Sequence, residues 1–142
     1  MALVKQVLTR KGQTVYSIEP DQPVLEAIRL MAQYGIGALL VMQGPRLVGV
    51  ISERDYARKV LLKGRASSDT AVRDIMSSPV LTVHADQSVR ECMQIMTDRR
   101  VRHLPVLEGQ RVIGVVSIGD LVRTVVDEQQ QTIEQLEQYI HG

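Results

Sequence analysis

The chain has 142 residues, of which 44% are hydrophobic and 23% are charged, and its formal net charge is +1. This composition is typical of a globular domain and argues against a disordered or fibrous chain. The near-neutral charge argues against a nucleic-acid-binding protein and against a polybasic membrane clamp, because both need a clear excess of basic residues.

The sequence favours a cytoplasmic protein. Cys92 is the single cysteine, so no disulfide can form within the chain and a reducing compartment is expected. No run of about 18 apolar residues is present that could span a membrane. The first residues also lack the basic and apolar regions of a signal peptide.

An internal repeat dominates the sequence: residues 15–60 recur at 80–125, in register and at a constant offset of 65. The offset relates pairs of residues with special roles: Gly44 and Gly109, Gly49 and Gly114, Ser52 and Ser117, Asp55 and Asp120. A duplicated unit of this size needs its twin to complete a core. We predict a first repeat with an N-terminal helix at 1–63, a linker at 64–71, a second repeat at 72–123 and a helical tail at 124–142.

Each repeat begins with a short apolar helix, marked by Val4, Val7 and Leu8 in the first copy and by Val72, Ile75 and Met76 in the second, at an offset of 68. A short strand follows, at 15–18 and 80–83. The next helix is predicted to start at Asp21 as N-cap, with Asp86 and Ser88 at the matching place. Its apolar residues recur at helical spacing: Val24, Ala27, Ile28 and Met31, and Val89, Cys92, Met93 and Met96. Gly35 is predicted to end the first of these helices, whereas Arg100 at the same place predicts a different ending.

Two strands and a further helix complete each repeat. The strands are predicted at 36–41 and 47–51 and again at 101–107 and 112–116, each pair joined by a turn that contains glycine. A helix begins after Ser52 and after Ser117. The fold class is therefore α+β, with two β-α-β-β-α repeats packed sheet to sheet around a pseudo-twofold axis and a C-terminal helix.

The tail from 124 to 140 lacks glycine and proline and carries one narrow apolar stripe at helical spacing. The stripe consists of Val126, Ile133, Leu136 and Ile140. Two interpretations are open: the stripe packs on its own domain, or it forms a helix–helix contact in a homodimer.

Both copies keep the pattern Ser-x-x-Asp where a strand meets a helix, at Ser52–Asp55 and Ser117–Asp120. Such a pattern can be a helix cap and nothing more. It can also form an anion site, because a helix N-terminus offers free N–H groups and a favourable dipole. A carboxylate beside such a site could accept the hydroxyls of a ribose. The duplication favours paired binding sites, and the capping interpretation stays open.

The sequences around these motifs, Gly-Val-Ile-Ser-Glu-Arg-Asp at 49–55, Gly-Val-Val-Ser-Ile-Gly-Asp at 114–120 and Arg-His-Leu-Pro-Val at 102–106, resemble a tandem pair of cystathionine-β-synthase (CBS) domains, called a Bateman module. The run at 53–60 further resembles small stand-alone CBS-pair proteins. The resemblance implies binding of AMP, ADP, ATP, NAD or S-adenosylmethionine in the cleft between the repeats.

The resemblance also implies roles for particular residues. Asp55 and Asp120 would hold ribose hydroxyls, with Ser52 and Ser117 near ribose or phosphate and Gly119 inside the second motif. Main chain around the adenine would come from Ser17, Ile18, Glu19, Gly37 and Ala38 in the first copy and from Thr82, Val83, His84, Arg102 and His103 in the second. Arg102 would contact phosphate. Gly37 stands at its place in the first copy, where Arg54 could supply the charge.

Other features have simpler interpretations. Cys92 and the methionines at helical spacing are predicted to lie in the core. His84, His103 and Cys92 lack the spacing of a zinc site, and no nucleophile or paired-acid motif supports catalysis.

The expected function is an adenine-nucleotide sensor that signals to a regulated partner protein. The alternatives are a constitutive assembly protein without a ligand and, with least support, an enzyme acting on a nucleotide.

Overall fold

The computed structural model describes residues 2–141. In chain order the elements are α1 (Val4–Lys11), β1 (Ser17–Ile18), α2 (Val24–Tyr34), β2 (Ala38–Gln43), β3 (Arg46–Ser52), α3 (Glu53–Tyr56), β4 (Val83–His84), α4 (Val89–Arg99), β5 (His103–Glu108), β6 (Arg111–Ser117) and α5 (Ile118–His141). A π-helical turn at Ala57–Leu61 follows α3, and a 3-10 turn at Val72–Asp74 precedes β4.

The strands within residues 2–141 form two three-stranded sheets, in the orders β1-β2-β3 and β4-β5-β6. In each sheet the first strand is parallel to the second, and the second is antiparallel to the third. The registers repeat at the offset of 65, so that Ala38 faces Ser52 and His103 faces Ser117. The α+β class, the β-α-β-β-α order of both repeats and the C-terminal helix are confirmed.

The chain folds into two compact units that exchange the segments leading into each repeat. One unit is Val15–Leu81, and the other joins the residues up to Thr14 to those from Thr82 onward. Helix α1, which the sequence division placed with the first repeat, therefore packs within the unit of the second. The 3-10 turn at Val72–Asp74 was expected to be a helix of the second repeat. It instead places Val72 and Ile75 in the core of the first, with Ile18, Val24 and Leu39.

Two glycines explain why the leading segments pack where they do. A Cβ atom at Gly114 would lie 2.7 Å from Cδ2 of Leu8, and a Cβ atom at Gly49 would overlap Sδ of Met76. Leu8 and Met76 are counterparts at the offset of 68, and the glycines are counterparts at 65. The missing side chain lets the leading segment approach the strand closely.

The starts of α2 and α4 correct the sequence prediction. The N-cap of α2 is Pro23, in extended conformation, and not Asp21. Asp21 instead forms an ion pair with Arg73. In α4 the cap is Ser88, whose hydroxyl accepts a hydrogen bond from the backbone N–H of Glu91 at 3.0 Å. The N-cap is the residue directly before the first helical residue. Asp21 and Asp86 lie two positions before it, too far from the unpaired N–H groups of the first helical turn to bond to them.

The end of α2 agrees with the prediction, and the end of α4 does not. Gly35 is left-handed with φ 63°, as expected. Arg100 adopts the same conformation with φ 56°, and its N–H bonds to the carbonyl of Met96 as that of Gly35 bonds to Met31. The prediction that the second helix ends differently is therefore wrong, because the C-terminal hydrogen bond is kept despite the steric cost of a left-handed arginine.

The C-terminal tail is helical, as predicted, and is part of α5. Its apolar stripe does not pack on the rest of the chain, since Val126, Ile133, Leu136 and Ile140 are between 48% and 72% exposed. Leu121, near the start of α5, is buried. Within residues 2–141, α5 and the shorter helices all lack the combination of length and apolar character needed to cross a bilayer.

We predict opposite stability effects at the two helix ends. Arg100→Gly should stabilise the fold by up to about 1 kcal/mol, because a left-handed conformation costs a non-glycine residue on the order of 1–2 kcal/mol. Gly35→Ala should destabilise it by about 1 kcal/mol, because alanine would have to adopt the same left-handed conformation. A Cβ atom there meets no neighbour within 4 Å, so a steric clash adds nothing to this cost. Urea unfolding of both variants measures this, and a loss of stability in Arg100→Gly would contradict the prediction.

Candidate functional site

The first Ser-x-x-Asp motif forms a closed hydrogen-bonded box where β3 meets α3. The carboxylate oxygen Oδ2 of Asp55 accepts hydrogen bonds from the backbone N–H and the hydroxyl of Ser52, both at 3.0 Å. The backbone N–H of Asp55 donates to the Ser52 hydroxyl at 3.1 Å. The other oxygen, Oδ1, lies 3.3 Å from Nζ of Lys59 and 3.4 Å from Oγ of Ser77.

The second motif repeats the box between β6 and α5 but has a different cation. The backbone N–H of Ser117 donates to Oδ2 of Asp120 at 2.8 Å, and the N–H of Asp120 donates to the Ser117 hydroxyl at 3.2 Å. Lys11, at the end of α1, donates from Nζ to the same Oδ2 at 2.6 Å and to the carbonyl of Val115 at 2.8 Å. Oδ1 of Asp120 accepts no hydrogen bond from any other residue of the described range 2–141.

Both motifs therefore cap helices, and capping accounts for only part of their contacts. A cap is complete when the serine and aspartate bond to each other's N–H groups. The lysine beside each carboxylate is not needed for that purpose. The aspartate side chains are only 14% and 15% exposed at Asp55 and Asp120. Each repeat thus holds a largely buried carboxylate whose charge is balanced by an ammonium group.

The charges around Asp120 shift the pKa of two groups. Burial alone would raise the pKa of Asp120, but hydrogen bonds from Lys11 and Ser117 and the charge of Lys11 outweigh it and hold that pKa below its ordinary value. Burial lowers the pKa of His103, and the charges of Lys11 and Arg102 lower it further against the opposing effect of Asp120. At neutral pH the carboxylate is therefore ionised and the imidazole is neutral, so His103 offers hydrogen bonds and no positive charge.

The main chain at the start of the β2 and β5 strands lies next to the motifs. The backbone N–H of Glu53 donates to the carbonyl of Gly37 at 3.0 Å, and Ala38 faces Ser52 in the sheet. In the second unit the N–H of Ile118 donates to the carbonyl of Arg102 at 2.9 Å. The structure thus brings Gly37 and Ala38, and Arg102 and His103, to the motifs with which the sequence grouped them.

The predicted residues of the first strand of each repeat lie farther along the sheet. Ser17 and Ile18 pair with Leu40 and Val41, two and three positions beyond Ala38. Ser17, Ile18 and Glu19 line a cavity of about 410 Å³ at the hairpin end of the sheet, with Gln22, Glu26, Leu30, Met42 and Gly44.

The second unit has the same spacing. Val83 and His84 pair with Val106 and Leu107, and Thr82 precedes the strand. With a rise of about 3.3 Å per residue, these groups lie roughly 7 to 13 Å along the strand from the motifs. The structure therefore places them at a distance from the carboxylates and not in contact with them.

The remaining predicted residues are exposed, and the structure reveals others. Arg54 and Gly119 lie exposed on the first turns of α3 and α5, and Arg54 makes no ion pair within residues 2–141. The residues that reach the carboxylates are Lys11, Lys59 and Ser77, which the sequence did not single out. No repeat signal could identify the lysines, because Lys11 precedes the duplicated segment and Thr124 stands opposite Lys59 at the offset of 65.

Cys92 is fully buried in α4, as predicted for a core residue. Burial raises the pKa of its thiol to about 11, and the charge of Glu91 adds to the effect. The thiol is therefore protonated and unreactive at neutral pH. Across the described residues, no three His, Cys, Asp or Glu side chains gather in a way that could hold a metal ion.

We predict that His103 makes the fold sensitive to mild acid. The pKa of His103 is lower in the folded chain than the ordinary value of about 6.5 expected after unfolding. The unfolded state therefore binds the proton more tightly, and stability is complete above that value and falls as the pH drops below it. Urea unfolding between pH 7 and pH 5 should show this loss. A loss of equal size in His103→Gln would assign the pH dependence to other groups.

Comparison with known proteins gives a consistent result. The family profile described as CBS domain matches residues 4–62 and 72–127. The chain is 43% identical over 127 residues to the mitochondrial CBS domain-containing protein CBSX3 of Arabidopsis thaliana. That match covers 86% of the chain and 62% of the plant protein, so the chain spans less than two thirds of this relative.

Solved structures agree with the fold. A CBS-domain protein from Burkholderia ambifaria superimposes with a TM-score of 0.87 at 48% identity, covering 90% of this chain and 96% of that one. The CBS domain pair of protein MJ0100, solved with 5′-methylthioadenosine and S-adenosyl-L-methionine, gives a TM-score of 0.80 at 25% identity, covering 90% and 98%. With two repeats in sequence, two matching sheets and two boxed Ser-x-x-Asp motifs, the chain belongs to the CBS-domain family as a tandem CBS pair.

Proposed function

We propose that this protein is a regulatory module that binds an adenosine ligand, such as AMP, ADP, ATP, NAD or S-adenosylmethionine, and signals its presence to a partner protein. The observation that carries the proposal is the largely buried, lysine-balanced carboxylate at the same place in both repeats. The adenosine ligands held by the related MJ0100 pair support the same class of ligand.

The chemistry of the second motif suits ribose recognition. The pKa of Asp120 is held low, so the group is a full acceptor at neutral pH. Its Oδ2 is held by Ser117 and Lys11, which leaves Oδ1 to accept a ribose hydroxyl. A hydrogen bond to a charged acceptor contributes about 1.5–3 kcal/mol. The main chain of Val83 and His84, farther along the strand, would then meet the adenine, because base and sugar hydroxyls lie at opposite ends of a nucleoside.

The role that we propose is regulatory and not catalytic. The residues assigned to ligand binding are hydrogen-bond acceptors and main-chain groups, and each carboxylate is already held by its own serine and lysine. The cytoplasmic location and the partner protein expected from the sequence are parts of the same proposal. A ligand that binds one conformation of the pair better than another would shift the population that the partner meets.

A constitutive assembly protein without a ligand is the second candidate, and the formed capping boxes are the observation that favours it. In that case Ser52, Asp55, Ser117 and Asp120 would serve helix stability alone. The two candidates differ in what they expect of a charge-removing substitution that preserves the cap.

We expect calorimetry on ligand-stripped protein to detect at least one of AMP, ADP, ATP, NAD and S-adenosylmethionine, with affinity between about 1 μM and 1 mM, or −8 to −4 kcal/mol. Asp120→Asn should remove one binding event, because an amide is a weaker acceptor for ribose while it can still accept the Ser117 N–H. Asp120→Ala should in addition lose about 1 kcal/mol of stability with the cap. If none of the five ligands binds the wild-type protein, the result would favour the assembly protein.

We also propose that the protein is a homodimer through the exposed stripe of α5. With 100° per residue, Asp127, Glu128 and Glu134 lie more than 90° from the centre of the stripe, whereas Glu137 lies about 55° away, at its edge. Two copies could therefore join along it with only one acid per chain beside the seam. The heptad spacing of Val126, Ile133 and Ile140, with Leu136 between them, is that of a helix–helix seam. Burying four exposed apolar side chains supplies the driving force.

We expect light scattering to report twice the mass of one chain. Ile133→Asp should yield the single-chain mass, because a charge in the seam must be desolvated on association. Gln131→Asp is the matched control, since it adds the same charge on the opposite face of α5 and should leave the dimer intact. A dimer that survives Ile133→Asp would show that the stripe is not the interface.

A further inference from the structure

In each unit a strand carbonyl and the motif aspartate are contacted by one residue of the leading segment, but this residue differs between the units. In the first unit the backbone of Ser77 donates to the carbonyl of Val50 at 2.8 Å, and the Ser77 hydroxyl reaches Asp55. In the second unit the Lys11 side chain makes both equivalent contacts, to Val115 and Asp120.

The first unit obtains its cation elsewhere. Lys59, one turn after Asp55, reaches Oδ1 at 3.3 Å and also donates to the carbonyl of Ile75 at 3.0 Å. At the corresponding place the second unit has Thr124, whose hydroxyl donates to the carbonyl of Asp120 at 3.0 Å. An ammonium group anchored to a carboxylate and a carbonyl is thus present in both units, although the lysines are unrelated by the repeat.

We propose that Lys11 is the residue that makes the site of the second repeat specific for phosphate-bearing adenosine ligands over the uncharged nucleoside, a proposal that rests on the proposed function. Its ammonium group neutralises Asp120 while the carboxylate accepts the ribose, and its remaining N–H donor serves the phosphate.

The reason is electrostatic. An ionised carboxylate that binds ribose would repel the phosphate attached to the same sugar, and the repulsion is large in a partly buried site. Lys11 cancels this charge at 2.6 Å from Asp120, and a charge-assisted hydrogen bond to phosphate is stronger than a neutral one. An uncharged nucleoside has no phosphate to be repelled and gains little from the lysine.

Arg102, which the sequence favoured for this role, is less suited to it. Its contact with the motif is made by its main-chain carbonyl, which accepts the N–H of Ile118. Its side chain is exposed, where interactions with a charged group are screened by solvent. The Lys11 side chain is also 37% exposed, but it is held by two acceptors, so its charge is already positioned before a ligand arrives.

The test compares AMP with adenosine on the full chain. Both are titrated by NMR, with the ring signals of His103 as the reporter of the second site. Lys11→Gln should weaken AMP by about tenfold or more and adenosine by less than about threefold, from loss of one charge near a phosphate in a partly screened site. Lys11→Arg, which keeps the charge, should restore most of the preference for AMP.

Lys5→Gln is the matched control, because it removes the same charge from the same helix α1 at an ion pair with the exposed Asp86. It should leave both affinities unchanged. Without any ligand, Lys11→Gln should also raise the pKa of His103, since the charge of Lys11 lowers it. Equal weakening of AMP and adenosine, or no change in either, would overturn the role of Lys11 alone. If neither compound nor any other adenosine ligand binds the wild-type chain, the proposed function falls as well.

Discussion

The close approach of a leading segment to a glycine in the last strand of each sheet is the contact on which both units depend. Leu8 fills the space above Gly114, and Met76 fills that above Gly49. Each leading segment comes from the part of the chain before the other repeat, so neither unit is complete from one repeat alone. Each unit therefore combines one repeat with the segment that leads into the other.

The same contacts position the chemistry. Because α1 packs against β6, its last residue, Lys11, reaches the carbonyl of Val115 and the carboxylate of Asp120. In the other unit the chain after Met76 pairs with Val50 through the backbone of Ser77, and its hydroxyl approaches Asp55. A packing requirement at a glycine thus fixes which groups surround each aspartate. Each site contains one carboxylate and one lysine. The lysine comes from α1 in the second unit and from the residue four positions after the aspartate in the first.

The exposed half of α5 is the part of the chain without a partner among the described residues. It begins in contact with the rest of its unit, where Leu121 is buried, and continues with its apolar stripe facing solvent. An amphipathic helix of this kind is stable in water chiefly through packing of its apolar side. The stripe and the second Ser-x-x-Asp motif lie on the same element, since α5 starts directly after Ser117.

The sequence by itself determined the repeat, the order of its helices and strands and the Ser-x-x-Asp motifs, because these depend on local periodicity and on residues retained at a constant offset. It also identified Gly37, Ala38, Arg102 and His103 as neighbours of the motifs. Two helix boundaries, the cap at Pro23 and the left-handed Arg100, depend on hydrogen bonds that cannot be predicted from the residue types. The spacing of Asp55 and Lys59, four residues apart, is one that helical periodicity can indicate. Only the tertiary structure decided that the leading segments are exchanged and that Lys11 balances Asp120. That contact joins residues 109 positions apart, so no periodic signal in the chain could encode it.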